Sequence, residues 1–302
     1  MNVESQLPAS SLIICSRNRP RLLLETVESI LRGDSVPTEM IIIDQSIESH
    51  VELSAMKIER SCDIRYIHSK TVGVGTARNL GIASSQYPIL IFIDDDMFVE
   101  PDWFGSMVNA VIKSGTCSVV TGQVRAGESE VHAGSAPSLK NDNEPAVYKG
   151  RLDREVLFTG NMGAYRSVFE DVGVFDERLG PGTNFPAAED NDLCFRLLEH
   201  GNCIYYVPDA IVYHRAWRSK GESLSLEWRY GIGRGAYYAK HMSLRDTYML
   251  WRMTRDIWQN SAHFFGVMLR KHQINFELLI AALGVFYGAI RWGVTQTGRG
   301  GS

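Results

Sequence analysis

Little in this 302-residue sequence marks it for a specialised setting. Its five cysteines, Cys15, Cys62, Cys117, Cys194 and Cys203, are odd in number and form no CxxC pair. A disulfide framework is therefore not expected, and a reducing, cytoplasmic compartment is. No basic region followed by an apolar stretch opens the chain, so no secretory leader is expected. Thirty-one Lys and Arg stand against 35 Asp and Glu, a formal net charge of −4, and no basic excess exists to neutralise a nucleic-acid backbone. Long apolar runs are missing too: Leu278 to Val294 is apolar but short and is interrupted by Arg291, below the ~20 residues a spanning helix needs. There is no internal repeat.

What is present is an ordinary globular composition, 44% hydrophobic and 22% charged, enough for one large domain with an appendage or two small ones. Ser11 to Cys15 reads as a buried strand, followed by a polar turn through Pro20 and then Leu22, Leu23, Val27, Ile30 and Leu31 at helical spacing up to Gly33. Met40 to Ile43 and Ile64 to Ile67 are further strands, and Thr76 to Ala83 a helix. Pro88 to Ile93 is the strongest buried strand and ends in Asp94-Asp95-Asp96. Strands alternating with helices imply an α/β fold with a mostly parallel sheet flanked by helices, whose ligands sit beyond the carboxyl ends of the strands. Asp44 and the aspartate run both fall at such ends. The polar stretch from Gly127 to Arg154 reads as one long loop. After about residue 220, aromatics and arginines at helical spacing take over. The chain is thus expected to divide into an α/β domain, 1–220, and a helical C-terminal extension, 221–302.

Three adjacent aspartates repel one another, and a divalent cation such as Mn²⁺ or Mg²⁺, shared with phosphate oxygens, removes the conflict. An exposed acidic turn is the competing reading. Glu189-Asp190-Asn191-Asp192 precedes an apolar helical pattern, so these acids stand at a helix N-terminus, where the dipole alone favours them. A carboxylate there is also placed to act as a general base on an attacking hydroxyl. His214, at a strand end, is either an ordinary packed histidine or a further metal ligand. Gly73-Val74-Gly75 lacks the third glycine of a dinucleotide fingerprint. It can still offer N–H groups to phosphate, with Arg78 one turn into the helix, or be a plain loop.

Taken in order, Ile13 to Pro20, Ile43 to Ser46, Gly75 to Gly81, Phe92 to Asp96, Thr159 to Arg166, Val172 to Glu177 and Glu189-Asp190 resemble the family 2 glycosyltransferases of the GT-A fold. The resemblance runs over about residues 10 to 215. It implies that Asp44 reads the nucleobase. It also implies that Arg17, Arg78, Asp94 and Asp95 hold the donor, and that Asp96 and His214 carry a divalent cation. Asp190 then resembles the general base, with Glu189 and Asn161 on the acceptor side. The implied reaction is an inverting transfer from a nucleotide-diphosphate sugar to a saccharide or lipid-linked acceptor. Ala188 stands where the family often has glycine, and the QxxRW signature of processive synthases is absent, which points to non-processive transfer. Gly231 to Gly235 with its aromatic flanks resembles bacterial rhamnosyltransferase-like members, though close helix packing is the role expected of it. A nucleotidyltransferase or a non-catalytic nucleotide-sugar-binding protein are the alternatives. The first is expected to carry a glycine-rich signature near its first strand, and no glycine precedes Gly33. The second would have lost Asp94, Asp96 or Asp190. The C-terminal helices are expected to lie peripherally on a membrane, pack on the core or form a homo-oligomer.

Overall fold

The computed structural model describes residues 7–128, 139–215, 220–271 and 276–297. The chain opens with β1 (Ser10–Ser16), α1 (Pro20–Leu31) and β2 (Glu39–Asp44). Pro20 fits the first turn of α1, where its missing N–H would have had no partner, and Leu23, Val27 and Ile30 give the helix one buried face. Next come α2 (Val51–Ala55), β3 (Ile58–Glu59), β4 (Cys62–His68), α3 (Val74–Ser84) and β5 (Ile89–Asp94). β6 (Met97–Val99), α4 (Trp103–Ser114), β7 (Ser118–Ala126), β8 (Ala146–Tyr148) and β9 (Asn161–Tyr165) follow. α5 (Arg166–Val172), α6 (Glu189–Glu199) and β10 (Cys203–His214) lead into the helices α7 (Lys220–His241), α8 (Tyr248–Lys271) and α9 (Phe276–Thr297).

All ten strands form one sheet in the order β3-β4-β2-β1-β5-β9-β7-β10-β6, with β8 also on β10. β4, β2, β1 and β5 are parallel, and their register sets Ser16 beside Asp44 and Cys15 beside Asp94. Three strand ends therefore meet at one edge. Beyond β5 the sheet is mixed, a departure from the mostly parallel arrangement expected. β9 runs antiparallel to both β5 and β7. The reason is topological: among the described residues no helix carries the chain back between β7 and β9, so β9 starts from the edge at which β7 ended. The 127–154 stretch is also more than a loop. It contains β8, paired with β10, while residues 129–138 lie outside the described residues.

Alternate residues of each strand face opposite sides. Leu12, Ile14, Ile91 and Ile93 pack with Leu23, Val27, Trp103 and Met107 of α1 and α4. Ile13, Leu90 and Phe92 pack with Phe169, Leu193 and Leu197 of α5 and α6. With both faces covered, the open place for a ligand is the edge where β1, β2 and β5 end.

α7 and α9 meet along small residues. A Cβ at Gly231 would come 2.9 Å from the Gly284 Cα, and one at Gly235 would strike the Val285 carbonyl. Close helix packing is thus what the glycines of 231–235 provide. α9 is longer than the apolar run suggested: Phe276–Gln296, 21 residues, is long and apolar enough to cross a membrane. Arg291 does not interrupt it, because its guanidinium turns to the segment before α6, donating to the Asn184 carbonyl at 3.1 Å and lying over Phe185.

Candidate active site

A cleft of about 660 Å³ opens at the carboxyl edge of the sheet. β1 contributes Cys15 and Ser16, the following turn Arg17 and Arg19, and β5 with its turn Asp94, Asp95 and Asp96. α3 contributes Arg78, the start of α6 Glu189, Asp190 and Asn191, the end of β10 His214, and α7 Glu227, Arg229, Tyr230 and Arg234. Residues as far apart as Asp94 and His214, 120 positions in the chain, are thus gathered because β5, β10 and α6 end or begin at the same edge.

The three aspartates of the run are held by different sets of partners, two of them sharing one arginine. Asp94 accepts from Arg78 Nη2 at 2.9 Å, and Arg78 Nη1 reaches Glu189 Oε1 at 3.3 Å. Arg78 is buried, so it is a strut joining the strand end to the start of α6. The two carboxylates hold its proton more tightly than usual, against the cost of burial. Gly160 lies so near that an added Cβ would collide with the Asp94 carboxylate, which explains a glycine there. Asp95 accepts from Ser16 Oγ at 2.6 Å and Arg19 Nη1 at 3.0 Å, and burial pushes its carboxyl up to about 7. Asp96 accepts from Arg19 Nη1 at 2.8 Å, and its Oδ1 stands 3.5 Å from His214 Nε2. Arg19, which the sequence reading did not single out, is the cation that serves two of the three aspartates. Its only signal was its place in the Ser16 to Pro20 turn.

Asp96 and His214 suit a divalent cation such as Mn²⁺, which takes carboxylate oxygen and imidazole nitrogen. Among the described residues no group of three or more His, Cys, Asp or Glu is gathered as a metal cage. A cation on these two side chains needs further oxygens, and a substrate diphosphate has them.

Across the cleft, Glu189 and Asp190 begin α6. Burial raises the Glu189 carboxyl, with Arg78 opposing. Asp190 is half-buried, and burial with the neighbouring Glu189 pushes its carboxyl up to about 7, against one hydrogen bond from the Asn191 N–H at 2.8 Å. Ala188, just before them, has φ 71°, ψ 19°, a left-handed conformation that disfavours any side chain. That geometry is why glycine suits the position. Asp192, one place beyond Asn191, faces away from the cleft. It takes Lys240 Nζ at 2.5 Å, His241 Nε2 at 2.7 Å and Arg196 Nε at 2.8 Å, which hold its carboxyl down at about 2 despite burial. α6 is thereby pinned to α7.

Two expected site residues are not brought to the cleft. Asn161 is 0% exposed: it accepts from Trp103 Nε1 at 2.9 Å and donates to the carbonyls of Gln123 (3.0 Å) and Ala210 (2.9 Å). It satisfies the backbone where β7, β9 and β10 meet α4, and cannot touch an acceptor. Asp44 is buried and does not line the cleft, accepting from the Ser46 N–H at 2.9 Å and Tyr66 Oη at 2.6 Å. Its neighbour Gln45 lines the cleft instead. The cleft-facing residues of α7 were also missed, since helical spacing gave no sign of which side met the site.

Residues 11–173, more than half of the chain, match the family model described as Glycosyl transferase family 2. The chain belongs to that family. This family 2 chain is 30% identical over 227 residues to the succinoglycan biosynthesis protein ExoM of Rhizobium meliloti (strain 1021), covering 71% of this chain and 68% of that one. It is 28% identical over 213 residues to the pre-mycofactocin glycosyltransferase of Mycobacterium tuberculosis (strain CDC 1551 / Oshkosh), covering 68% and 42%. It is 23% identical over 247 residues to the hyaluronan synthase of Pasteurella multocida, covering 70% and 25%. The chain thus spans a quarter to under half of the length of the last two. Among solved structures, GalNAc-T7 with UDP, GalNAc and Mn²⁺ matches with a TM-score of 0.55 at 18% identity, over 71% of this chain and 44% of that one. S. aureus TarS 1-349 matches with a TM-score of 0.54 at 12% identity, over 95% and 92%. These likenesses show the shared GT-A fold of the family 2 chain.

Proposed function

We propose that the cleft transfers a sugar from a nucleotide-diphosphate sugar to an acceptor hydroxyl, with inversion, one unit at a time. The observation that carries this reading is Asp190: a carboxyl raised to about 7 that faces the three-aspartate edge across one cleft. A base poised near neutral pH is what deprotonating a hydroxyl requires. Asp190 takes the acceptor's proton, and the oxygen attacks the anomeric carbon from the face opposite the diphosphate. The bond from that carbon to the diphosphate breaks, and the nucleoside diphosphate leaves. Arg17, Arg78, Asp94 and Asp95 orient the donor, and Arg19 holds Asp95 and Asp96 in place. Glu189 borders the acceptor. Asp96 and His214 would hold a Mn²⁺ or Mg²⁺ ion. Bound there, it supplies Lewis-acid stabilisation of the departing diphosphate.

Family membership disfavours the nucleotidyltransferase and the non-catalytic reading. Relatives named for hyaluronan synthesis and succinoglycan biosynthesis support a role in polysaccharide or glycolipid assembly. Because α7 lines the cleft, residues from about 221 onward are proposed as a helical extension that completes the acceptor side. α9 carries a stripe of exposed apolar residues, Leu283, Phe286, Tyr287, Ile290 and Val294, opposite its glycine face. Such a stripe supports lying on a membrane surface at the cytoplasmic side, and the five free cysteines agree with that compartment.

The test is a panel of nucleotide sugars with Mn²⁺, read as free nucleoside diphosphate. One donor should release it, EDTA should stop release, and Mn²⁺ or Mg²⁺ should restore it. Full release under thorough chelation would remove the cation from the account, and no release from any donor would remove the transfer.

A further inference from the structure

A second cavity, of about 170 Å³, adjoins the first: Asn191 and Arg234 line both. Asn191 directly follows the proposed base, so this cavity continues the cleft on the acceptor side. Its far wall is α8, with Arg252, Arg255, Asp256 and Gln259.

The wall is built, and its charges are already engaged: Arg154 lies over the Tyr148 ring, and the others are paired. Arg252 Nη2 donates to Glu155 Oε1 at 2.7 Å and Nη1 to Tyr237 Oη at 3.0 Å. Arg255 Nη1 donates to Asp153 Oδ2 at 2.6 Å. Asp256 accepts from Asn260 Nδ2 at 2.8 Å and Tyr238 Oη at 3.1 Å, and pairs with Arg234 Nη1 at 3.4 Å. What is left over is a set of uncharged or one-sided groups. Arg234 Nε is buried with no hydrogen-bond partner. Among the described residues, the side-chain amides of Asn191 and Gln259 have no partner either. A buried N–H without a partner is costly, and a ligand oxygen removes that cost.

Those left-over groups define the ligand. Asp153, Glu155 and Asp256 line the cavity beside Arg154, Arg234, Arg252 and Arg255, and three of these arginines pair with the three acids, so the wall offers balanced charge rather than a site of one sign. Hydroxyl groups both donate and accept, as free amides do, and they can accept from a guanidinium N–H. We propose that this cavity is an acceptor subsite holding a neutral sugar unit next to the one that bears the accepting hydroxyl. The proposal rests on the transfer reading above and deepens it: the acceptor is at least a disaccharide, and α6, α7 and α8 read its second unit.

Gln259 is exposed on α8 and makes no structural bond, so it can be changed without disturbing the fold. Wild type, Gln259→Ala and Gln259→Trp are compared with methyl glycosides of common hexoses and with the matching methyl disaccharides. Release of nucleotide in the absence of acceptor is measured alongside. Wild type should show a lower KM for at least one disaccharide than for its monosaccharide. Gln259→Trp, which fills the cavity, should raise that KM roughly tenfold, equivalent to about 1.4 kcal/mol, and Gln259→Ala by less. Monosaccharide kcat/KM and acceptor-free release should not change. Equal losses on both acceptor classes, or an unchanged disaccharide KM, would overturn the subsite. If wild type releases nucleotide from no donor, the transfer reading fails by itself. Saturation-transfer NMR with the same disaccharides then decides the subsite: binding lost in Gln259→Trp upholds it, and no binding to wild type overturns it.

Discussion

Replacing Asp190 by Asn removes the proposed base while keeping its size and its place at the start of α6. The carboxyl, raised by burial and Glu189 from 3.8 to about 7, must be ionised to take a proton. About a tenth of the molecules carry the ionised form at pH 6 and about a hundredth at pH 5. The rate should therefore rise about tenfold per pH unit up to 7 and level off above it. Asp190→Asn should lose roughly 10²–10⁴-fold and its remaining activity should lose that slope. Stability should move the opposite way. A folded-state value above the unfolded one means that the neutral carboxyl's contribution is full below about 3.8 and is lost as pH rises through about 7. The ionised group then costs at most about 4 kcal/mol, less where the cleft mouth lets water in. Asp190→Asn does not ionise, so it should melt higher than wild type above pH 7 and show a flatter stability profile between pH 4 and 7. Initial rates of nucleotide release from the preferred donor across about pH 5 to 9, paired with thermal melts, check both. A wild-type profile inflecting near 4, or an undiminished Asn variant, would refute the reasoning and make Glu189 the next candidate.

Arg78→Met should cost about 3 kcal/mol in urea unfolding, because buried Glu189 and half-buried Asp94 would lose their shared cation; an unchanged midpoint would mean that the strut is dispensable. Ala188→Val should cost roughly 2 kcal/mol or more, since a β-branched residue resists the left-handed backbone, whereas Ala188→Gly should be close to neutral; urea melts of both compare them. The wild-type chain should fractionate with membranes and be released by a carbonate or high-salt wash, and Phe286→Ser with Ile290→Ser should shift it to the soluble fraction. A purely soluble wild type would leave the α9 stripe for packing or oligomerisation, and resistance to every wash short of detergent would mean insertion.

The carboxyl edge was legible because an uninterrupted apolar strand ending in three aspartates, as at Ile89–Asp94, has one sensible place in an α/β sheet. Glu189-Asp190 was legible as a helix start for the same local reason. What the sequence could not show was which polar residues the fold would consume. Asn161 follows Gly160 in a stretch resembling a family motif, yet its amide serves three buried partners that lie 38 to 58 residues away. Asp44 is taken by Tyr66 and its own turn. β9 departed from the mostly parallel sheet expected because strand direction depends on where a long connection returns the chain, and its five residues carry no mark of direction. The helix α9 was cut short at Arg291 because a charge counts against an apolar run until its partner, Asn184, is known.

The most direct test of the account is the anomeric configuration of the first product. With the donor that releases nucleotide and an acceptor that it glycosylates, proton NMR early in the reaction reads the coupling of the new anomeric proton against that of the donor. A single displacement with Asp190 as base gives the inverted anomer. A product that keeps the donor's configuration would contradict the mechanism, because retention requires a second displacement or a front-face route that one base across the cleft does not provide.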